Sequence, residues 1–171
     1  MNTNPILLYT SLPADVTAFS TTRHGGCSQG AYASLNCTSY TGEHVRRNQK
    51  ILCGALPQHP RELVIPYQTH GTDALIIDIT YLQASEEERQ IMLQGIDALI
   101  TCEPDICLCI STADCIPILL YDKQHRTVAA IHAGWRGTVS RIVLHTLEHM
   151  RALYGTDGRN VTAVIGPGIS L

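Results

Sequence analysis

The stretch STADCIPILLYDKQHRTVAAIHAGWRG, Ser111–Gly137, decides how this chain folds and where its chemistry sits. PILLYD (Pro117–Asp122) and TVAAIH (Thr127–His132) are both strand-like, and the short polar turn KQHR between them predicts an antiparallel hairpin. Pairing Asp122 with Thr127 fixes the register and sets Pro117 opposite His132. Cys115, two residues before Pro117, then lies at the strand end where His132 sits, so thiol and imidazole are predicted to converge. The preceding Ser-Thr-Ala-Asp has loop composition, which favours access of the sulfur to solvent.

Beyond His132, AGWRGT leads into a helix predicted from about Thr138 to Leu153, its first turn offering backbone N–H groups beside Arg136. That pairing suits an anion, phosphate above all. Glycine-rich turns of this kind also occur without ligands, with Trp135 simply packing. Upstream, ELVIPYQTHG reads as a strand broken at Pro66, and ALIIDI (Ala74–Ile79) as the next strand, which puts His70 on their connection. Ser85 and Glu88 form a capping box opening a helix from Glu86 to Gln94, with Gly95 as its stop. IDALIT (Ile96–Thr101) and ICLCI (Ile106–Ile110) read as buried strands; Cys107 and Cys109 read as small core residues. The early chain is loop-rich (FSTTRHGGCSQGAYASLN), followed by a short helix in VRRNQKILCGAL closed near Gly54. The whole pattern is mixed α and β.

Composition sets the outer limits. The chain has 171 residues, 44% of them hydrophobic, enough for one domain with a single core. Twelve Lys and Arg against 15 Asp and Glu give a formal charge of −3 and no basic stripe, so a nucleic acid polymer is not an expected partner. No run approaches the length of a membrane span, and PILLY near the N-terminus is too short for a signal sequence. Seven cysteines without a CxxC pair fit neither a disulfide framework nor a zinc ribbon, and point to a reducing cytoplasm.

A Cys–His pair at one rim has three chemical meanings. The thiolate could attack a carbonyl with the imidazole as base; the two could be ligands of a tetrahedral zinc; or they could be inert neighbours. A third donor on a nearby loop would favour a metal, and His70 of QTHG is the candidate. Two imidazoles and a thiolate leave a fourth position open for water, as catalytic zinc sites do. A competing motif, HTLEH (His145–His149), matches the HxxEH pattern of zinc peptidases. Its helix, however, has an apolar stripe of Val139, Val143, Thr146, Leu147, Met150 and Tyr154, which turns both histidines toward solvent. His24, His44, His59 and His125 stand in polar segments and read as surface residues, except that Arg23 before His24 and the Gly-Gly after it could make that loop a substrate cover.

FSTTRHGG with GAYASLN, YQTHG, DALIT, STADCIPILLYD, AAIHAGWRGT and IGPGIS, in that order, resemble the YfiH-like family, also labelled polyphenol oxidase or laccase domain-containing. The resemblance implies an α+β fold, a layered sandwich with a mixed sheet similar to that of a cytotoxic deamidase toxin. It also implies a zinc-binding purine nucleoside enzyme that phosphorylyses adenosine, inosine and methylthioadenosine and deaminates adenosine. Purine nucleosides and inorganic phosphate are thus the expected partners. The family's metal or catalytic trio falls on His70, Cys115 and His132. Arg23 and Arg136 fall on basic positions assigned to phosphate, and Asp114 is a candidate ligand-orienting or proton-carrying residue. A multicopper centre is another matter: it needs about ten imidazoles, several as HxH pairs, whereas this chain has eight histidines and no HxH. Cu2+ is expected only as an adventitious occupant of the His/Cys site.

Two departures from the family pattern are visible. Tyr40 stands where members commonly carry a histidine, and members continue past IGPGIS, so the domain spanning 1–171 is expected to be incomplete at its C-terminus. Two rival readings stay open: a Cys115–His132 amide hydrolase or deamidase acting on a peptidoglycan precursor, and a non-enzymatic zinc or redox module.

Overall fold

The computed structural model describes residues 4–38 and 44–169; Tyr40 lies outside them. Composition suggested one core, and the chain divides into two compact units, Met1–Leu63 and Val64–Leu171.

In the first unit, β1 (Ile6–Leu8) and β2 (Phe19–Thr21) pair antiparallel, with Leu8 opposite Phe19. The glycine-rich loop that follows is tied to α1 (Val45–Ala55) by one buried side chain, Asn48. Its Oδ1 accepts the Cys27 amide at 2.9 Å, and its Nδ2 donates to Ser28 Oγ and to the Asn36 carbonyl, each at 2.8 Å. These bonds satisfy polar groups that a loop would otherwise leave unpaired. A third strand, β3 (Glu62–Val64), runs across the boundary between the units.

The second unit is built on β4 (Ala74–Ile76), α2 (Ile79–Gln83), α3 (Glu86–Met92), β5 (Ala98–Thr101), β6 (Ile106–Leu108), β7 (Ile116–Asp122), β8 (Thr127–Ala133), α4 (Trp135–Val139), α5 (Ile142–Tyr154) and β9 (Val161–Ile165). Five strands form one mixed sheet in the order β4-β5-β8-β7-β9. Its β4–β5 pair is parallel and its other neighbours are antiparallel. Alternation along β5 sorts the two faces. Ala98 and Ile100 pack with Leu120, Ile131, Ile142 and Met150 on the α5 side, whereas Leu99 packs with Val64, Ile77 and Tyr81 on the side of α2 and α3. The result is the layered α+β sandwich with a mixed sheet, and each large aliphatic side chain fully buried in it contributes about 1.5–3 kcal/mol.

The predicted register holds: Asp122 pairs with Thr127 and Pro117 with His132. The capping box at Ser85 and Glu88 is formed, and Gly95 takes a left-handed φ of 74° just beyond that helix. Three readings need correction. The strand expected over Ala74–Ile79 ends at Ile76, because the Asp78 carboxylate accepts the Tyr81 amide and caps α2. The single helix expected over Thr138–Leu153 is two helices, separated at Ser140 and Arg141, where Arg141 adopts φ 63°. That break re-aims the second helix so that Ile142, rather than Val139, enters the core; Val139 is 76% exposed and Ile142 fully buried.

Candidate metal centre

Three side chains meet at one end of the sheet. Cys115 immediately precedes β7, His132 lies near the end of β8, and His70 comes from the loop before β4. Their ligand atoms all lie within 4.8 Å of one another, the one such cluster of three His, Cys, Asp or Glu donors among the described residues. The His70 and His132 rings stand edge to face, centroids 4.8 Å apart. His132 is buried, Cys115 half-buried and His70 exposed, so the cluster is anchored in the interior and opens to solvent on one side.

Two polar side chains assemble it. Gln68 acts as a clasp: its Nε2 donates to the Ser111 carbonyl at 2.8 Å and its Oε1 accepts the Ser111 amide at 2.7 Å. The loop carrying His70 is thereby fastened to the loop carrying Cys115. The other side chain is Asp97, fully buried just ahead of β5. It accepts His132 Nδ1 at 2.7 Å, together with the amides of Thr69 (3.1 Å), His70 (3.0 Å) and Gly71 (2.7 Å). Burial alone would push its pKa up; the bonds from His132 and from the amides of Gly71, Thr69 and His70 outweigh burial and hold the carboxyl below its ordinary range.

Neither Gln68 nor Asp97 is among the residues singled out from the sequence. Asp97 had a signal, a carboxylate set inside the apolar run Ile96–Ile100, where a buried charge demands donors.

The donor set and the space around it fit a metal ion. A tetrahedral zinc with N and S ligands has edges of about 3.5 Å, so a short inward movement of the side chains closes the observed spacing. The backbone leaves room for the centre at Gly134, the residue after β8. A Cβ there would stand 2.9 Å from His70 Cδ2, 3.3 Å from Cys115 Sγ and 3.6 Å from His132 Cε1. The imidazole bound to a buried carboxylate is also the arrangement that commonly supports metal-ligating histidine.

The other candidates are placed as follows. Arg136 is exposed on α4, its guanidinium 5.3 Å from the Trp135 ring centroid, and Trp135 is 70% exposed rather than packed. Arg23, in the first unit, donates from Nε and Nη2 to the Ala33 carbonyl at 3.0 and 2.8 Å. Asp114 is exposed beside Cys115 and stands outside the three-donor cluster; its carbonyl accepts the Ile169 amide at 3.0 Å. His145 and His149 of the peptidase-like motif are exposed on α5, with His145 Nδ1 3.7 Å from Glu148. Among the described residues they join no cluster of three donors.

The family model described as multi-copper polyphenol oxidoreductase laccase matches residues 17–171. A purine nucleoside phosphorylase of Bacteroides thetaiotaomicron is 58% identical over 171 residues, covering 97% of this chain and 63% of the relative. A protein named adenosine deaminase, from an unknown prokaryotic organism, is 38% identical over 90% of this chain and 60% of its own length. The chain therefore spans less than two thirds of the curated relatives it matches. In structure, YfiH of Bacillus licheniformis superposes with a TM-score of 0.87 at 30% identity, over 98% of this chain and 64% of that one. With the family model matched from residue 17 onward and the fold shared throughout, this chain belongs to the YfiH-like, laccase-domain family.

Proposed function

We propose that this chain carries the metal centre of a zinc-dependent purine nucleoside phosphorylase, converting adenosine, inosine and methylthioadenosine to free base and ribose or methylthioribose 1-phosphate. Adenosine deamination is proposed as a second activity. The observation that carries this reading is the His70, Cys115 and His132 cluster, with its donors within 4.8 Å. The name of the 58% identical relative supports phosphorolysis, and that of the 38% identical one supports deamination.

In this reading His70, Cys115 and His132 hold zinc, with Cu2+ an adventitious occupant. Bound there, zinc would supply Lewis-acid polarisation and a water acidified to a pKa near ~7. Arg136, exposed on α4, is assigned to inorganic phosphate, through charge-assisted hydrogen bonds. A phosphate oxygen bonds to C1′ of the ribose as the C1′–N9 bond breaks. The electron pair leaves with the purine, which takes up a proton at N7. Asp114, exposed beside Cys115, is assigned to orient the nucleoside or to relay that proton from solvent.

The test is to incubate the whole protein with inosine, with and without phosphate, and to measure hypoxanthine. Phosphate-dependent release is expected, and Cys115→Ala should abolish it together with about one bound zinc per chain. Release that ignores phosphate would replace phosphorolysis with hydrolysis, and no release would sink both.

The Asp97–His132 bond of 2.7 Å also fits a second reading. Cys115 would be a thiolate nucleophile, His132 its base and Asp97 the orienting carboxylate of an amide hydrolase acting on a peptidoglycan precursor. Amide turnover by metal-free protein, inactivated by iodoacetamide, would favour it over the zinc enzyme.

A further inference from the structure

Asp97 reaches two separate parts of the centre with the two oxygens of one carboxylate. Oδ1 accepts His132 Nδ1 and the His70 amide, while Oδ2 accepts the amides of Thr69 and Gly71. Its own carbonyl accepts the His132 amide at 2.8 Å. Both the ring and the main chain of His132 are thus bonded to one residue.

The consequences differ for the two histidines. An ionised carboxylate can only accept, so Nδ1 of His132 must carry a hydrogen, and in the neutral ring that leaves the Nε2 lone pair for the centre. His70 has a left-handed φ of 64°, a conformation that is unfavourable for a residue carrying a Cβ. Three successive amides, those of Thr69, His70 and Gly71, converge on the carboxylate and offset that cost, since hydrogen bonds to a charged group are stronger than those between neutral groups.

We propose that Asp97 is the positioning residue of the centre, acting on both imidazoles at once. It commits His132 to the tautomer that presents Nε2, and it holds the turn that brings His70 to Cys115. This deepens the reading of the cluster as a metal centre and rests on that reading for its metal-binding arm.

The informative variant is Asp97→Asn. Each carboxylate oxygen faces two N–H donors, so in either orientation the amide nitrogen of asparagine is set against donors. Two measurements apply. Nitrogen-15 NMR of the His132 ring in metal-free protein reads the tautomer without reference to metal or turnover; a protonated Nδ1 and a bare Nε2 are expected in the wild type and a mixture in the variant. Competition with a chromophoric zinc chelator reads affinity, expected to fall about 10–100-fold in a variant whose circular dichroism remains native.

If the wild-type ring carries its hydrogen on Nε2, the proposal is wrong whether or not the variant folds. It is equally wrong if the variant folds with an unchanged tautomer and zinc affinity within twofold of wild type. A wild-type protein that binds no zinc but shows the expected tautomer overturns the metal reading and leaves Asp97 as the orienter of His132.

Discussion

A Cβ placed on Gly134 would lie 2.9 Å from Cδ2 of His70, well inside the 3.5–4.0 Å that two carbons prefer. The same methyl would press on Cys115 Sγ at 3.3 Å. His132 is buried and bonded to Asp97, whereas His70 is exposed on a loop, so His70 is the group that gives way. Gly134→Ala is therefore expected to cost about 1–3 kcal/mol of stability by overpacking. Zinc affinity should fall at least tenfold, read by chelator competition on protein that still unfolds cooperatively. Unchanged affinity would mean that the three donors do not need that space.

Gly137 poses a contest between two magnitudes. Alanine in a helix is favoured over glycine by about 1 kcal/mol, but a Cβ here would stand 2.8 Å from the backbone carbonyl of Gly71, which has no flexible end to swing aside. Overpacking of about 1–3 kcal/mol should win. Gly137→Ala is expected to lower the urea midpoint, and because Gly71 follows His70, to weaken zinc binding as well. A raised midpoint would show that the helix and the His70 loop can separate at little cost.

How much of this was legible varies with the range of the interactions. The polar turn KQHR fixes a hairpin whose pairing can be counted residue by residue, and Pro117 opposite His132 follows from that count. His70 could be placed on a connection, and the motif resemblance named it, but nothing local shows what brings it to Cys115. That depends on Gln68 reaching Ser111, 43 positions away, and on Asp97 reaching donors 26 to 35 positions away. The break at Ser140 and Arg141 was hidden for a different reason. No glycine or proline stands at it, and Arg141 takes its left-handed φ immediately before Ile142, which is fully buried in the core.

The HTLEH motif makes a sharp negative prediction. His145 is 51% exposed and Glu148 76% exposed, in a loose pair whose net contribution is small. The double variant His145→Ala, His149→Ala should change stability by no more than about 0.5 kcal/mol. Zinc content, measured by elemental analysis, should stay the same. Loss of zinc would restore the peptidase-like helix as a ligand source.

Asp122, at the turn of the β7–β8 hairpin, gives the fold a defined acid limit. Its carboxylate is buried and accepts His125 Nδ1 at 2.7 Å and the Gln124 amide at 2.9 Å. Burial pushes its pKa up, but the His125 imidazole and the backbone amides of His125 and Gln124 pull harder, and the net displacement is downward. A group with a folded pKa below its unfolded value of about 3.9 stabilises fully above that value, and the contribution disappears as pH falls through the folded pKa. Asp122→Asn should therefore lose about 1–3 kcal/mol at pH 7. The gap between wild type and variant should narrow below about pH 4, where the wild-type carboxyl also becomes neutral. Urea unfolding of both proteins from pH 7 down to pH 2.5 reads this directly. Two curves that stay parallel would show that the carboxylate charge does not stabilise the hairpin turn.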